Sequence, residues 1–259
     1  MHISDLHISA INYLYPNAKE VALPCIRGHI RDVYIITNEH DEKFVCRFSN
    51  EKTAKHNLNA SQLLTKYSIP VPQVTICKYN SQYCEIYPFI KGKTFCERIS
   101  DGLSKDKFDR IYNQLFDIAY KISQIPVDNT LNISLPLPTR LIKGLFNVLN
   151  PESKRQLCHY DMYPSNIVLD DQDNVCGLLD LDSVTAISLR FALFVVMRDA
   201  AIRGYYDIQD LEKLSVKLNE PYNKISLDRQ MKIFMMQRNV IKFLLSEKIR
   251  NQLLKIRIK

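Results

Sequence analysis

Up to about residue 90 the apolar positions fall in short β-branched and aromatic runs, and beyond Gly92 they recur every three or four residues. The runs DVYIITN (31–37) and KFVCRF (43–48) flank the polar stretch NEHDE, a pattern that predicts a β-hairpin. Residues 51–67 have helical character and stop before IPVP, where two prolines end any helix. QVTICKY (73–79) and QYCEIYPFI (82–90) predict a second strand pair around Asn80-Ser81. In the next segment Phe108, Ile111, Leu115, Ile118, Ile122 and Ile125 mark one face of a helix. Leu141 to Leu149 predicts a further helix closed by Asn150-Pro151. A short hairpin interrupts at 167–181, and about 187–259 again reads as helical. The expected fold class is α+β: a small N-terminal lobe of antiparallel strands with one inserted helix (1–90) and a larger helical C-terminal lobe (91–259), joined near Tyr87–Gly92.

Composition narrows the class without naming a chemistry. With 46% apolar and 24% charged residues over 259 positions, the chain is ordinary globular protein, neither collagen-like, coiled-coil nor wholly disordered. The formal net charge of +7 is confined to one segment, since Asp228–Lys259 holds nine basic and two acidic residues. The remainder carries 26 charges of each sign. That segment is interleaved with Phe234, Ile241, Leu244, Leu245, Leu253 and Leu254, which fits a packed helix with a solvated basic face. It also leaves open a membrane surface or an acidic partner. No nucleic-acid recognition motif accompanies it. Seven cysteines, none in a C-x-x-C pair and most inside apolar runs, predict reduced thiols packed as small hydrophobes in a cytoplasmic chain. The N-terminus lacks a basic region followed by an apolar one, so no signal peptide is expected, and no apolar run approaches the length of a membrane span.

The chemistry concentrates in LCHYDMYPSNIVLDDQDNVCGLLDLDSV (157–184). Two apolar runs, Ile167–Leu169 and Val175–Leu181, flank the turn composition DDQDN, which lacks the glycine and the terminal glutamate of a calcium loop and is read as a solvated turn. A hairpin centred on 172–173 places facing residues at numbers that sum to about 345. Asn166 then lies opposite Leu179, beside Asp180 and next to the loop holding His159 and Asp161, with facing residues about 5 Å apart. A carboxylate beside an Asn/Asp pair is the set that phosphoryl transfer from a metal–nucleotide complex requires. His159-Tyr160-Asp161, then Asn166, then Asp180 follow the order of the protein-kinase pattern H-R-D-x-x-x-x-N and D-F-G.

Here the chain resembles the aminoglycoside phosphotransferase and choline kinase group, whose sequences carry H-x-D-x-x-x-x-N followed by an apolar-flanked Asp. KFVCRFSN is similar to that group's strand bearing a phosphate-contacting basic residue, LLTKYSIPVPQV to its helix end and "iPvP" turn, and YCEIYPFIKGKTF to its hinge strand and following glycine, here Gly92. LDLDSV is similar to the DLDT stretch of N-acetylhexosamine 1-kinases. The resemblance implies a protein-kinase-like two-lobed fold and an ATP- and Mg²⁺-dependent transfer of the γ-phosphate to a hydroxyl of a small molecule. It implies Asp161 as catalytic base or hydroxyl-positioning carboxylate, with His159 bracing the loop. Asn166 and Asp180 would ligate Mg²⁺, and Asp182 would be a second metal or orienting group. Arg47 and Gly28 would hold the nucleotide phosphates, and the backbone from Tyr87 through Phe89 and Ile90 would hold the base.

Two departures stand out. Many relatives have lysine where Arg47 stands. The glutamate expected on the following helix would fall near Asn57, where AKHNLNASQ holds no acid. Glu51 from outside the helix, a different partner for Arg47, or a non-catalytic nucleotide-binding protein are the alternatives. The stretch CIRGHIRDVYII has Gly28 alone and no G-x-G-x-x-G. No A-P-E segment or activation loop follows Asp180, so nothing points to a protein substrate. Choline-like alcohols, amino sugars and aminoglycosides all remain as acceptors, as does a lipid headgroup at a membrane. Asp199, Asp207, Asp210, Tyr205 and Tyr206 are candidate contacts for a cationic acceptor. Oligomeric state is not readable.

Overall fold

A computed structural model describes residues 5–22, 32–80, 82–127, 131 and 155–188. All of them belong to one compact unit comprising Met1–Ile133 and Lys154–Val196, while Ser134–Ser153 and Met197–Lys259 form a second. The expected helix at 141–149, the basic segment, Gly28, Cys25 and the candidate acceptor contacts lie outside the described residues.

The chain begins with α1 (Asp5–Leu14), which the sequence reading did not anticipate, and β1 (Glu20–Ala22). The expected hairpin follows as β2 (Val33–Thr37) and β3 (Lys43–Ser49), in register Ile35 to Val45. Next come α2 (Glu51–Lys66) and the second hairpin, β4 (Thr75–Tyr79) and β5 (Gln82–Pro88). The five strands form one sheet in the order β1-β2-β3-β5-β4, antiparallel at every pairing given. Because side chains alternate across a strand, the sheet has two different faces. Tyr34, Ile36, Cys46, Phe48, Cys84 and Ile86 point one way and form a core with Ala10 and Ile11 of α1. The intervening residues, Arg47 on β3 and Glu85 on β5, share the opposite face. Cys46, Cys84 and Cys158 are buried free thiols, as expected of small hydrophobes, and Cys77, Cys96 and Cys176 are free and half-buried.

Helix α2 begins properly for its sequence: the Asn50 side chain accepts from the Thr53 N–H at 2.9 Å. Glu51 is the first residue inside this helix, not outside it, and pairs with Lys55 one turn on. The IPVP turn is tied back to α2, since the Ser61 hydroxyl donates to the Pro72 carbonyl (2.6 Å) and accepts from the Val74 N–H (2.9 Å).

After β5 the chain passes through Gly92 into β6 (Lys93–Thr94) and α3 (Phe95–Ser100), a helix closed by a capping box between Thr94 and Glu97. Gly92 is required on two counts. Its φ is +153°, and a Cβ there would lie 2.3 Å from the Leu169 carbonyl oxygen. The periodic segment is α4 (Lys105–Ser123), and it buries Phe108, Ile111, Leu115, Ile118 and Ile122, the face the spacing predicts.

Four more strands complete the described unit: β7 (Arg155–His159), β8 (Ile167–Leu169), β9 (Val175–Leu178) and β10 (Val184–Ser188). β6, β8 and β9 make a three-stranded sheet, and β7 pairs antiparallel with β10. Two expectations need correction here. The helix expected from about Ile187 does not begin there: Val184–Ser188 is strand, and the β-branched Val184, Thr185 and Ile187 suit it. The turn 170–174 is not uniformly solvated. Asp173 is only 4% exposed, because Arg98 (3.2 Å) and Lys107 (2.8 Å) reach it and neutralise it.

Candidate active site

The β8–β9 hairpin has the register its sequence implies. Ile167 faces Leu178 and Val168 faces Gly177, with an irregularity before Leu169 and Val175. One step toward the open end, the Leu179 N–H donates to the Asn166 carbonyl at 2.7 Å, so Asn166 does lie opposite Leu179 and beside Asp180. The proline turn contributes from outside, as the Leu178 N–H donates to the Pro70 carbonyl at 2.7 Å.

Three segments converge at this open end. The loop after β7 carries Asp161, a 3₁₀ turn at Pro164–Asn166 carries Asn166, and Asp180 precedes a second 3₁₀ turn at Leu181–Ser183. The Asn166 amide donates to the Asp161 carbonyl (3.0 Å) and to its carboxylate (3.3 Å). With its nitrogen so committed, the side-chain oxygen, which accepts only a long bond from the Ser165 hydroxyl (3.4 Å), keeps a lone pair to act as a ligand. His159 is 1% exposed; its Nε2 donates to the Leu179 carbonyl (2.9 Å), and its Nδ1 accepts from the Asp161 N–H (3.3 Å). Burial holds its pKa below the ordinary histidine value, opposed by the Leu179 bond and the charge of Asp161. A neutral ring tied at both nitrogens joins the Asp161 loop to the Asp180 segment. β7 and β10 knit the same two segments together, with His159 opposite Val184 and the Tyr160 N–H on the Ser183 carbonyl.

Asp180 adopts φ 60°, ψ 60°, a left-handed conformation that costs a non-glycine residue about 1–2 kcal/mol and that is characteristic of functional positions. Partial burial and the charge of Asp182 push its pKa up to about 6, against the pull of Arg47. The Asp180 carboxylate is thus short of positive charge.

Arg47 sits at the meeting point of three carboxylates. Its guanidinium donates from Nη1 to Asp182 Oδ1 (3.1 Å) and from Nη2 to Asp182 Oδ2, a two-pronged pair. Nη1 also lies 3.8 Å from Glu85 and 3.9 Å from Asp180. Burial alone would lower the arginine's pKa, but Asp182, Glu85 and Asp180 together raise it, so the group keeps its charge. Both oxygens of Asp182 are therefore committed to Arg47.

The hinge residues are placed by packing. Val45 pairs with Tyr87, and the Phe89 N–H donates to the Lys43 carbonyl at 2.8 Å, so that donor is engaged within the sheet. Ile90 lies against Gly177 of β9, where a Cβ would stand 2.7 Å from its Cδ1. The Tyr87 phenol is raised in pKa by burial, and it lies within the field of Arg47, Glu85, Asp180 and Asp182.

Two residues without an expected role, Glu85 and Ser49, complete the site beside Asn57, the position already marked by its missing acid. Glu85 is 1% exposed; it accepts from the Ser49 hydroxyl at 2.5 Å and from the Asn57 amide at 2.8 Å. The available signal was a lone carboxylate in the apolar strand YCEIYP, but its partner could be named only once β5 was known to lie beside β3.

The donor chemistry suits a magnesium nucleotide. Magnesium takes hard oxygen ligands and typically only one or two carboxylates, keeping water and substrate phosphates for its other positions. The Asn166 amide oxygen and the charge-starved Asp180 carboxylate fit that demand. No group of three or more His, Cys, Asp or Glu among the described residues would form a self-sufficient metal cage.

A sheet carrying a half-buried arginine, followed by a His-x-Asp loop and a hairpin ending in Asp180, defines a protein-kinase-like fold. Solved structures similar to this chain share that fold. An aminoglycoside-3'-phosphotransferase of type VIII is 16% identical, with 89% of this chain and 98% of that chain covered at a TM-score of 0.62. A wild-type aminoglycoside 2'-phosphotransferase-IIIa in complex with GDP is 14% identical over 96% of this chain and 94% of that one, with a TM-score of 0.65. An amicoumacin kinase in complex with AMP-PNP, Ca²⁺ and Ami is 11% identical over 99% and 92%, at 0.59. No family model and no curated protein sequence matches the chain. The chain therefore has the fold of the aminoglycoside phosphotransferases.

Proposed function

We propose that this protein is a small-molecule kinase that transfers the γ-phosphate of a magnesium-bound nucleoside triphosphate to a hydroxyl group. The observation that carries this reading is the joined set at the hairpin's open end. Asn166 is bonded to Asp161, Asp180 stands beside it, and Arg47 projects from the sheet within 3.9 Å of Asp180. The nucleotide complexes among the similar structures, with GDP and with AMP-PNP, support it. Residues 1–90 are the nucleotide-binding lobe and residues 91–259 the catalytic and acceptor-binding lobe in this reading.

Asp161 accepts the proton of the attacking hydroxyl and aims it, and general-base assistance of this kind contributes about 10²–10⁴-fold. His159, neutral and bonded at both nitrogens, fixes the loop so that Asp161 keeps its place beside Asn166. Asn166 and Asp180 hold the magnesium ion, which when bound neutralises charge on the phosphates. Arg47 adds a permanent positive charge toward the same phosphates, which compete with Asp182 for its guanidinium. Asp182, with both oxygens paired to Arg47, is not assigned as a metal ligand. Backbone groups around Tyr87, Phe89 and Ile90 form the edge against which the base lies. The absence of an activation segment in the short stretch from Asp180 into β10 favours a small acceptor over a protein. Among hydroxyl acceptors, aminoglycosides, amino sugars and choline-like alcohols share a cationic amine and form the first panel.

The test is nucleotide turnover with Mg²⁺ against that panel, comparing wild type with Asp161→Ala and Asp180→Ala. A phosphorylated acceptor is expected from wild type, with loss of about 10²-fold or more in the Asp161 variant. A wild type that binds nucleotide yet never exceeds the Asp180 variant in any transfer contradicts the proposal.

A further inference from the structure

Arg47 needs a fixed anchor if it is to meet phosphates, and Asp182 is a poor one. Asp182 is 35% exposed in its side chain, sits in a three-residue turn, and is the group that phosphate must displace. The helix that would supply a carboxylate has Asn57 instead. Glu85 has the properties that both lack. It stands directly opposite Arg47 in the β3–β5 register, on the same face of the sheet, where facing side chains lie about 5 Å apart. It is almost fully buried, and two hydrogen bonds, from Ser49 and Asn57, fix its two oxygens separately. Its Oε2 is 3.8 Å from Arg47 Nη1.

Asn57 bears the mark of this arrangement. Its amide nitrogen is turned to Glu85, while its buried oxygen has no hydrogen-bond partner, a cost that is accepted only if the bond to the carboxylate dictates the rotamer. A glutamate at position 57 would bring a second carboxylate against Glu85. The amide is the complement of an acid already present on the strand.

We propose that Glu85 is the residue that positions Arg47 for the nucleotide phosphates, a carboxylate supplied by β5 in place of one from α2, with Ser49 and Asn57 holding it. Glu51, the other acid near this helix, is exposed and pairs with Lys55, and has no such role. The inference rests on the reading of Arg47 as a phosphate contact.

The experiment is titration of the full chain with Mg·ATP and Mg·GTP, with melting curves recorded alongside. Glu85→Gln keeps the shape and removes the charge, and it should weaken nucleotide binding about tenfold or more, while Glu51→Gln stays within about twofold of wild type. Ser49→Ala, which removes one bond and leaves the charge, should fall between. The double variant Asn57→Glu with Glu85→Asn returns the carboxylate to the helix and should recover most of the lost affinity, which a merely structural role for Glu85 does not predict. Binding by Glu85→Gln within about twofold of wild type overturns the inference. So does a folded double variant that binds no better than Glu85→Gln. A wild type that binds neither nucleotide overturns the reading of the site itself, and that failure is seen before any variant is made.

Discussion

Gly92 joins the five-stranded sheet to the sheet that carries Asn166 and Asp180, and Gly92→Ala measures how closely the two backbones must approach. A methyl group there would stand 2.3 Å from the Leu169 carbonyl oxygen and 2.9 Å from Val168 Cγ1. Contacts of this kind are comfortable only beyond about 3.5 Å, so a paired strand must move by about 1 Å. Overpacking of that size costs about 1–3 kcal/mol, and holding alanine at φ +153° adds a further 1–3 kcal/mol or so. A total of about 3 kcal/mol lowers the melting temperature of a chain this size by roughly 6–12 °C. Gly102 provides the internal comparison. Its φ is +89°, but nothing lies within 4 Å of a Cβ placed there, so Gly102→Ala pays the backbone term alone, about 1 kcal/mol. Thermal melts followed by circular dichroism separate the two. If Gly92→Ala melts no lower than Gly102→Ala, the close approach of Gly92 to β8 is not real, and the reasoning that seats the hairpin fails.

Two further outcomes follow from the electrostatics. Asp180→Asn should melt higher than wild type by about 1 kcal/mol, after discounting for its exposure, because the amide keeps the left-handed conformation and sheds a carboxylate whose charged form the site disfavours. The same variant should lose magnesium-dependent nucleotide binding, and a melt equal to or below wild type would count against the charge-starved description. His159 sets a pH dependence. Its pKa is lowered in the folded chain, so the unfolded chain takes up a proton that the buried ring refuses once pH falls below the ordinary value of 6.5. The stabilisation is complete above that value and declines below it. Asp180 acts in the opposite sense below about pH 6, gaining stability as it is protonated. The histidine contribution is therefore read as the difference between wild type and His159→Gln in urea midpoints taken from about pH 7.5 down to 6. Parallel midpoints in the two proteins would contradict it.

The legible parts of the sequence were those set by local spacing. The 345 sum of the hairpin follows from its turn alone, and it places Asn166 opposite Leu179. Helix α4 is legible because its five apolar positions, Phe108 through Ile122, keep one face. What stayed hidden depended on partners distant in sequence. Arg47 and Glu85 meet because β5, not β4, lies beside β3, and no local pattern states the order of strands. The missing acid near Asn57 was visible, but its replacement was not. The expected helix from about Ile187 overlaps the end of Val184–Ser188, whose β-branched residues favour a strand and whose partner β7 lies 25 residues or more away. Helix α3 has a readable local signal, the Thr94/Glu97 capping box. Helix α1 carries only a weak apolar stripe, and its place is set by the sheet face it covers.

The most direct test of the central claim is ³¹P NMR of the protein with Mg²⁺, nucleoside triphosphate and the hydroxyl acceptor panel, run with wild type and Asp161→Asn. The account predicts a phosphate-ester resonance growing with wild type as nucleoside diphosphate accumulates, slowed by about 10²–10⁴-fold in the variant while nucleotide affinity is retained. Nucleotide bound by wild type with no ester formed on any acceptor, or ester formed as fast by Asp161→Asn, would contradict it.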